Sequence, residues 1–195
     1  MTETDFSVSP PPAGLILTPG AGADRDHQTL VALEDGLRAP EQGLPDMAVV
    51  RLTLATTSVA NAAAKIGAAA EELANRLSVP LDQIALGGRS FGGRACSVAV
   101  AEGLPAAALV LLSYPLHPPG KPEKLRVEHF PSISVPTLFV SGQKDPFGTA
   151  DEFAAHTPAI AGPVRFEWIP GNHSPKNQDP AIIELVGSFL SVVKS

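Results

Sequence analysis

Short apolar runs alternate with stretches of helical periodicity from Gly14 onward, and this alternation restricts the fold more than any other feature of the chain. Gly14-Leu15-Ile16-Leu17-Thr18, closed by Pro19-Gly20, reads as a buried strand. A polar segment with helical potential follows over 26–38, and Met47–Leu54, rich in β-branched residues, reads as the second strand. From Ser58 to Leu77 the residues Val59, Ala63, Ile66, Ala70, Leu73 and Leu77 recur at alternating steps of four and three. That spacing predicts an amphipathic helix capped by Ser58 and stopped ahead of Pro80. Ile84–Gly87 is the third strand, and Phe91–Glu102 reads as a helix ended by Gly103. Ala107–Ser113 is continuously apolar, as in a strand covered on both faces. Thr137–Ser141 is the fifth strand, 150–156 a short helix, and Val164–Ile169 an edge strand in which apolar and charged residues alternate. Asp179 as N-cap and Pro180 behind it open a last helix, with Ile182, Val186, Phe189 and Val193 as its buried stripe. The pattern predicts an α/β fold: a doubly wound, mostly parallel sheet of about six strands with helices on both faces.

Composition narrows what such a fold can do. The 195 residues suit an N-terminal arm over 1–13 and a single domain over 14–195. Hydrophobic residues make up 44% and charged residues 17%, enough to bury a core. A net charge of −6 without a basic cluster argues against a nucleic-acid surface. The lone cysteine, Cys96, forbids an intramolecular disulfide and fits a reducing compartment; its place in the third helix reads as a small buried hydrophobe. The N-terminus lacks the basic start and apolar stretch of a secretory signal, and no run of about 18 apolar residues could span a membrane. The expectation is a cytoplasmic protein.

Chemistry concentrates at Gly88-Arg89-Ser90-Phe91-Gly92, a G-x-S-x-G pattern between a predicted strand and a predicted helix. In that context the pattern predicts a nucleophile elbow, a strained turn that lifts a serine hydroxyl above the sheet and needs side-chain-free neighbours. A phosphate-binding loop would need a Gly-Lys-Ser/Thr ending that this stretch lacks. Ser90 by itself is a weak nucleophile and needs a base with an orienting acid. The acid should follow a strand downstream, where Gly142-Gln143-Lys144-Asp145-Pro146 offers Asp145. Of the histidines beyond Ser90, namely His117, His129, His156 and His173, only His173 lies between the last strand and the last helix. With Asp145 on one ring nitrogen, the other could face Ser90.

Acyl transfer also requires backbone N–H groups aimed at the developing oxyanion. Phe91, next to the nucleophile, and Ala21, in the glycine-flanked loop after the first strand, are the expected donors. Gly20, Arg89 and His117 are candidate substrate contacts; solvent exposure competes for Arg89, and an ordinary surface role for His117. Gly20-Ala21-Gly22 resembles the start of a dinucleotide fingerprint, but Arg25 replaces its third glycine and the second strand ends without a ribose-binding acid. Asp24, Asp26 and His27 are explained by an acidic helix start. Neither a metal nor an organic cofactor is expected.

Together TPGAGADRDH, GGRSFGG, SGQKDPFG and PGNHSP, in that order, resemble the α/β-hydrolase fold from about Gly14 to the C-terminus. The chain is most similar to small, cap-free members related to dienelactone hydrolases, including a testis-expressed-protein-like branch with similar PGAGAD, RSFGGR and YPLHPPGKPEKLR stretches. Dienelactone hydrolases proper use a cysteine nucleophile, so their substrate does not carry over to Ser90, and many relatives have His where Pro19 stands. The resemblance implies a shallow, open site with PLHPPGKPEKLRVEHF as a partial lid. The expected activity is a serine esterase acting on a small acyl ester through an acyl-enzyme on Ser90. A catalytically silent binding or scaffold module on the same fold is the alternative.

Overall fold

The structure is a computed structural model that describes residues 11–39, 44 and 46–192. Most of the expected N-terminal arm, and Val193 of the expected last stripe, lie outside the described residues. Among the described residues six strands form one sheet: β1 (Gly14–Thr18), β2 (Ala48–Arg51), β3 (Ile84–Arg89), β4 (Leu109–Leu112), β5 (Thr137–Gly142) and β6 (Val164–Ile169). They lie in the order β2-β1-β3-β4-β5-β6, and every pairing is parallel. The helices are α1 (Gln28–Leu37), α2 (Val59–Leu77), α3 (Phe91–Ala101), α4 (Ala150–His156) and α5 (Asp179–Val192).

Period-two alternation along the central strands divides the core in two. Ile16, Leu86, Leu111 and Phe139 face one side, where α2, α3 and α4 contribute Ile66, Ala95 and Phe153. Leu15, Leu17, Val110, Leu138 and Val140 face the other, against Leu33 and Leu37 of α1 and Val186 and Phe189 of α5. The predicted stripe of α2 is present: Ala63, Ile66, Ala70 and Leu73 are buried, and Ser58 accepts from the Asn61 N–H at 3.3 Å as N-cap. Ser78, in the left-handed region at φ 56°, ends the helix ahead of Pro80.

Some boundaries differ from expectation. Strand β2 stops at Arg51, which pairs with Leu17, and the Leu52 N–H makes the closing bond to the Leu17 carbonyl. Strand β4 begins at Leu109, two residues into the apolar run, and ends at Leu112, where Ser113, at φ 48°, turns the chain away. Asp179 is not the cap of α5 but its first residue: the Gln178 carbonyl accepts from the Ile182 N–H, and the Asp179 carboxylate accepts from Gln28 Nε2 of α1.

The strand order reverses between β1 and β3, and in such sheets ligands bind at the carboxyl ends beside that point. The loop after Thr18 and the turn at Ser90 both lie there, since Thr18 pairs with Gly88. The far end of the sheet is held by aromatic packing. Phe153 is fully buried, edge-on to Phe139 at 5.6 Å and to Trp168 at 5.8 Å between ring centroids. Phe153→Ala should therefore lower the unfolding free energy by about 3–5 kcal/mol, read from urea denaturation followed by the fluorescence of Trp168; a loss below about 1 kcal/mol would contradict this packing.

Candidate active site

The turn between β3 and α3 is shaped by what its neighbours lack. Ser90 has φ 52° and ψ −115°, a conformation rarely tolerated by a residue with a side chain. A Cβ on Gly92 would lie 2.5 Å from the Pro19 carbonyl oxygen, and one on Gly88 would lie 2.8 Å from the backbone of Gly92 and strike Thr18 Oγ1. Only glycines let the β1 loop press this closely on the start of α3. Beneath the turn, Thr18 Oγ1 donates to the Gly87 carbonyl at 3.0 Å, and Cys96 Sγ approaches the same carbonyl at 3.5 Å. Burial pushes the Cys96 thiol up to about 12, so it stays protonated packing material.

Asp145 follows β5 and turns back on itself: its Oδ1 accepts from the Phe147 N–H at 2.9 Å. Its side chain is 1% exposed. His173 lies in the loop between β6 and α5, where Gly171 adopts φ 127° and its carbonyl accepts from the Lys144 N–H. The acid loop and the histidine loop are thus stitched together. His173 Nδ1 lies 2.8 Å from Asp145 Oδ2 and 3.0 Å from Oδ1, while Nε2 lies 2.8 Å from Ser90 Oγ. Phe147 stacks on the imidazole with centroids 3.9 Å apart. Asp145, His173 and Ser90 form one continuous hydrogen-bonded line.

Ser90 opens into a cleft of about 460 Å³. Gly20, Ala21, Phe91, Arg89 and His173 line it. The Gly20 carbonyl accepts from the Ala23 N–H, leaving Ala21 at the exposed apex of a tight turn. Phe91 is the first residue of α3, so its N–H has no acceptor within the helix. Arg89 also reaches across: its Nη2 donates to the His173 carbonyl at 2.7 Å and to Ser174 Oγ. Pro115 and Arg126, from the segment expected to act as a partial lid, form part of the wall.

His117, expected at the cleft, is not among the residues that line it. It is 4% exposed; its Nδ1 donates to the Pro118 carbonyl at 2.8 Å, and its Nε2 faces Glu152 of α4 at 3.2 Å. The chain after β4 turns back over α4, which carries the ring away from Ser90. His156, at the end of α4, is half-buried. Asp26 pairs with Arg51 at 2.9 Å, and His27 caps α1, so these groups serve the fold.

The contacts that several residues make near the site had no signal in the sequence. Phe147 lies in SGQKDPFG, but nothing in the sequence distinguishes it from a core aromatic. Tyr114, Ser97 and His129 form a buried network: Ser97 Oγ donates to the Arg94 carbonyl at 2.9 Å, and Tyr114 Oη donates to the Arg126 carbonyl at 3.1 Å. His129 Nε2 lies 2.8 Å from Ser97 Oγ. With the hydroxyl protons engaged, Nε2 must be the donor, which requires the Nε2–H tautomer. Burial, aided by the positive charge of Arg94, pulls His129 down to about 4.

A family model described as an alpha/beta hydrolase domain matches residues 11–181. Similar solved structures include a dienelactone hydrolase from Anabaena variabilis, 18% identical, with a TM-score of 0.75 over 94% of this chain and 87% of that one. Est1E from Butyrivibrio proteoclasticus is 18% identical, with a TM-score of 0.73 over 91% and 86%. A putative hydrolase of the alpha/beta superfamily from Xanthomonas campestris is 19% identical, with a TM-score of 0.69 over 91% and 98%.

The depressed His129 carries a stability consequence. Between its native value near 4 and the ordinary 6.5, the unfolded chain binds a proton that the native state lacks, so stability is lost as pH falls through that window. In thermal melts, the drop in Tm from pH 6.5 to pH 4 should be smaller for His129→Gln, which does not titrate, than for the wild type; equal drops would contradict a buried neutral imidazole.

Proposed function

This chain belongs to the alpha/beta hydrolase domain family, and from that premise we propose that it is a serine hydrolase cleaving small acyl esters through an acyl-enzyme on Ser90. The observation that carries the proposal is the unbroken line from Asp145 through His173 to Ser90, with 2.8 Å at each link. In the first half-reaction His173 Nε2 takes the Ser90 proton as Oγ attacks the substrate carbonyl carbon. The N–H groups of Phe91 and Ala21 receive the oxyanion, aided by the positive end of α3. Asp145 holds the tautomer with the proton on Nδ1 and stabilises the imidazolium. His173 then returns its proton to the leaving alcohol. In the second half-reaction it deprotonates the water that attacks the acyl-enzyme, releasing the acid and restoring Ser90. A well-placed general base contributes about 10²–10⁴ in rate.

Residues 14–195 act as one domain in this proposal, and Gly20 admits substrate by keeping the β1 loop low beside Ser90. Arg89 serves as a positioning residue, because its Nη2 bonds to His173 and Ser174 set the height of the histidine loop. No helix among the described residues is long and apolar enough to cross a membrane. The lone buried Cys96 supports a reducing, cytoplasmic setting.

A fluorophosphonate probe should label the wild type at Ser90, and Ser90→Ala should abolish both labelling and hydrolysis of p-nitrophenyl acetate. A folded wild-type protein that neither labels nor hydrolyses would leave only the scaffold reading. Arg89→Gln should reduce kcat by up to about 10²-fold, with a smaller change in KM, and Arg89→Lys should restore part of the loss. A change confined to KM would instead assign Arg89 to direct substrate contact.

A further inference from the structure

The cleft beside Ser90 carries a charge imbalance that catalysis does not explain. Its charged wall residues include Arg89, Arg94 and Arg126, and among the described residues no Asp or Glu lines it. Arg89 is already engaged by the histidine loop. Among the described residues, Arg94 and Arg126 make no salt bridge. Among the described residues, Arg94 Nε is buried without a hydrogen-bond partner, a position that carries a desolvation penalty.

The backbone of both arginines is nonetheless held in place. Ser97 fixes the Arg94 carbonyl, Tyr114 fixes the Arg126 carbonyl, and His129 Nε2 lies 2.8 Å from the Ser97 hydroxyl and 3.4 Å from that of Tyr114. This network joins α3 to the loop after β4 and presents both side chains to the same cleft. It supplies no negative charge: His129 is kept neutral, and burial raises Tyr114 so that its phenol stays protonated. Burial lowers Arg126, and the charge of Arg94 acts in the same direction. Two guanidinium groups that line the cleft beside a nucleophile, with no salt bridge among the described residues, can receive an oxyanion through charge-assisted hydrogen bonds.

We propose that Arg94 and Arg126 form an anion subsite in the Ser90 cleft, selecting acyl esters that carry a carboxylate or phosphate group away from the scissile bond. The inference deepens the serine-hydrolase reading, but the subsite is testable apart from it. The full-length protein and its Arg94→Gln, Arg126→Gln and double variants are assayed with mono-p-nitrophenyl glutarate and with neutral p-nitrophenyl butyrate. Each single substitution should lower the ratio of kcat/KM for the anionic over the neutral ester by about tenfold or more. In parallel, calorimetry with glutarate and with inorganic phosphate is run on Ser90→Ala protein, with and without the two arginines. Arginine-dependent binding is expected, and the tighter anion distinguishes a carboxylate site from a phosphate site. Binding of that kind without turnover of either ester would keep the subsite and overturn the hydrolase reading. An unchanged ratio together with no arginine-dependent binding overturns the subsite, and continued hydrolysis would then leave the hydrolase reading intact. Should Arg94→Gln fail to melt cooperatively, Arg126→Gln carries the test, since its backbone bond to Tyr114 survives the substitution.

Discussion

The contact between the β1 loop and the start of α3 governs the arrangement of the site. Pro19 and Thr18 press on Gly92 and Gly88 so closely that neither glycine has room for a Cβ. That approach keeps Ser90 at φ 52°, where its hydroxyl stands clear of the sheet instead of pointing into it. A strained residue persists only when its surroundings leave no relaxed alternative. Here the constraint comes from the parallel pairing of β1 with β3, which sets Thr18 opposite Gly88, and from the Thr18 hydroxyl, which bonds to the Gly87 carbonyl. The Ala21 turn is carried on the same loop, so the contact that strains the serine also sets the distance between Ser90 and Ala21.

The histidine is held differently, by several weak attachments on a loop. Lys144 bonds to Gly171 and Arg89 to His173, while Phe147 covers one face of the imidazole. A Cβ on Gly142 would lie 2.7 Å from the Gly171 carbonyl, so the end of β5 packs directly against the histidine loop. In the proposed mechanism the ring turns between serine, leaving group and water, which needs its axis fixed and its Nε2 free. Anchoring Nδ1 to a carboxylate that is 1% exposed, with the outward edge left at the cleft, meets both needs.

Charge is distributed unevenly. The chain carries a net −6, yet among the described residues the cleft wall carries arginines without acids. Asp145 lies behind His173 and directs its charge into the imidazole. The neutral network of Ser97, Tyr114 and His129 stiffens the opposite wall without discharging it.

The order of elements was legible in the sequence because short-range physics decides it. Apolar spacing located α2 and its stripe, Pro and Gly marked the limits of β1, and the alternation in Val164–Ile169 marked a half-buried edge strand. The glycine pattern around Ser90 was equally readable, since the lack of a Cβ is a property of the residue itself. Asp145 and His173 could be singled out by their places after strands, but that they meet Ser90 in one line is a matter of three-dimensional closure. His117 shows the limit: its position in the chain allowed a place at the cleft, while the path of the loop over α4 put its ring against Glu152. Arg94 and Arg126, 32 positions apart, became neighbours only through Tyr114, Ser97 and His129. Local backbone preference is written residue by residue and survives in the sequence alone, whereas the company a loop side chain keeps depends on the whole sheet having closed around it.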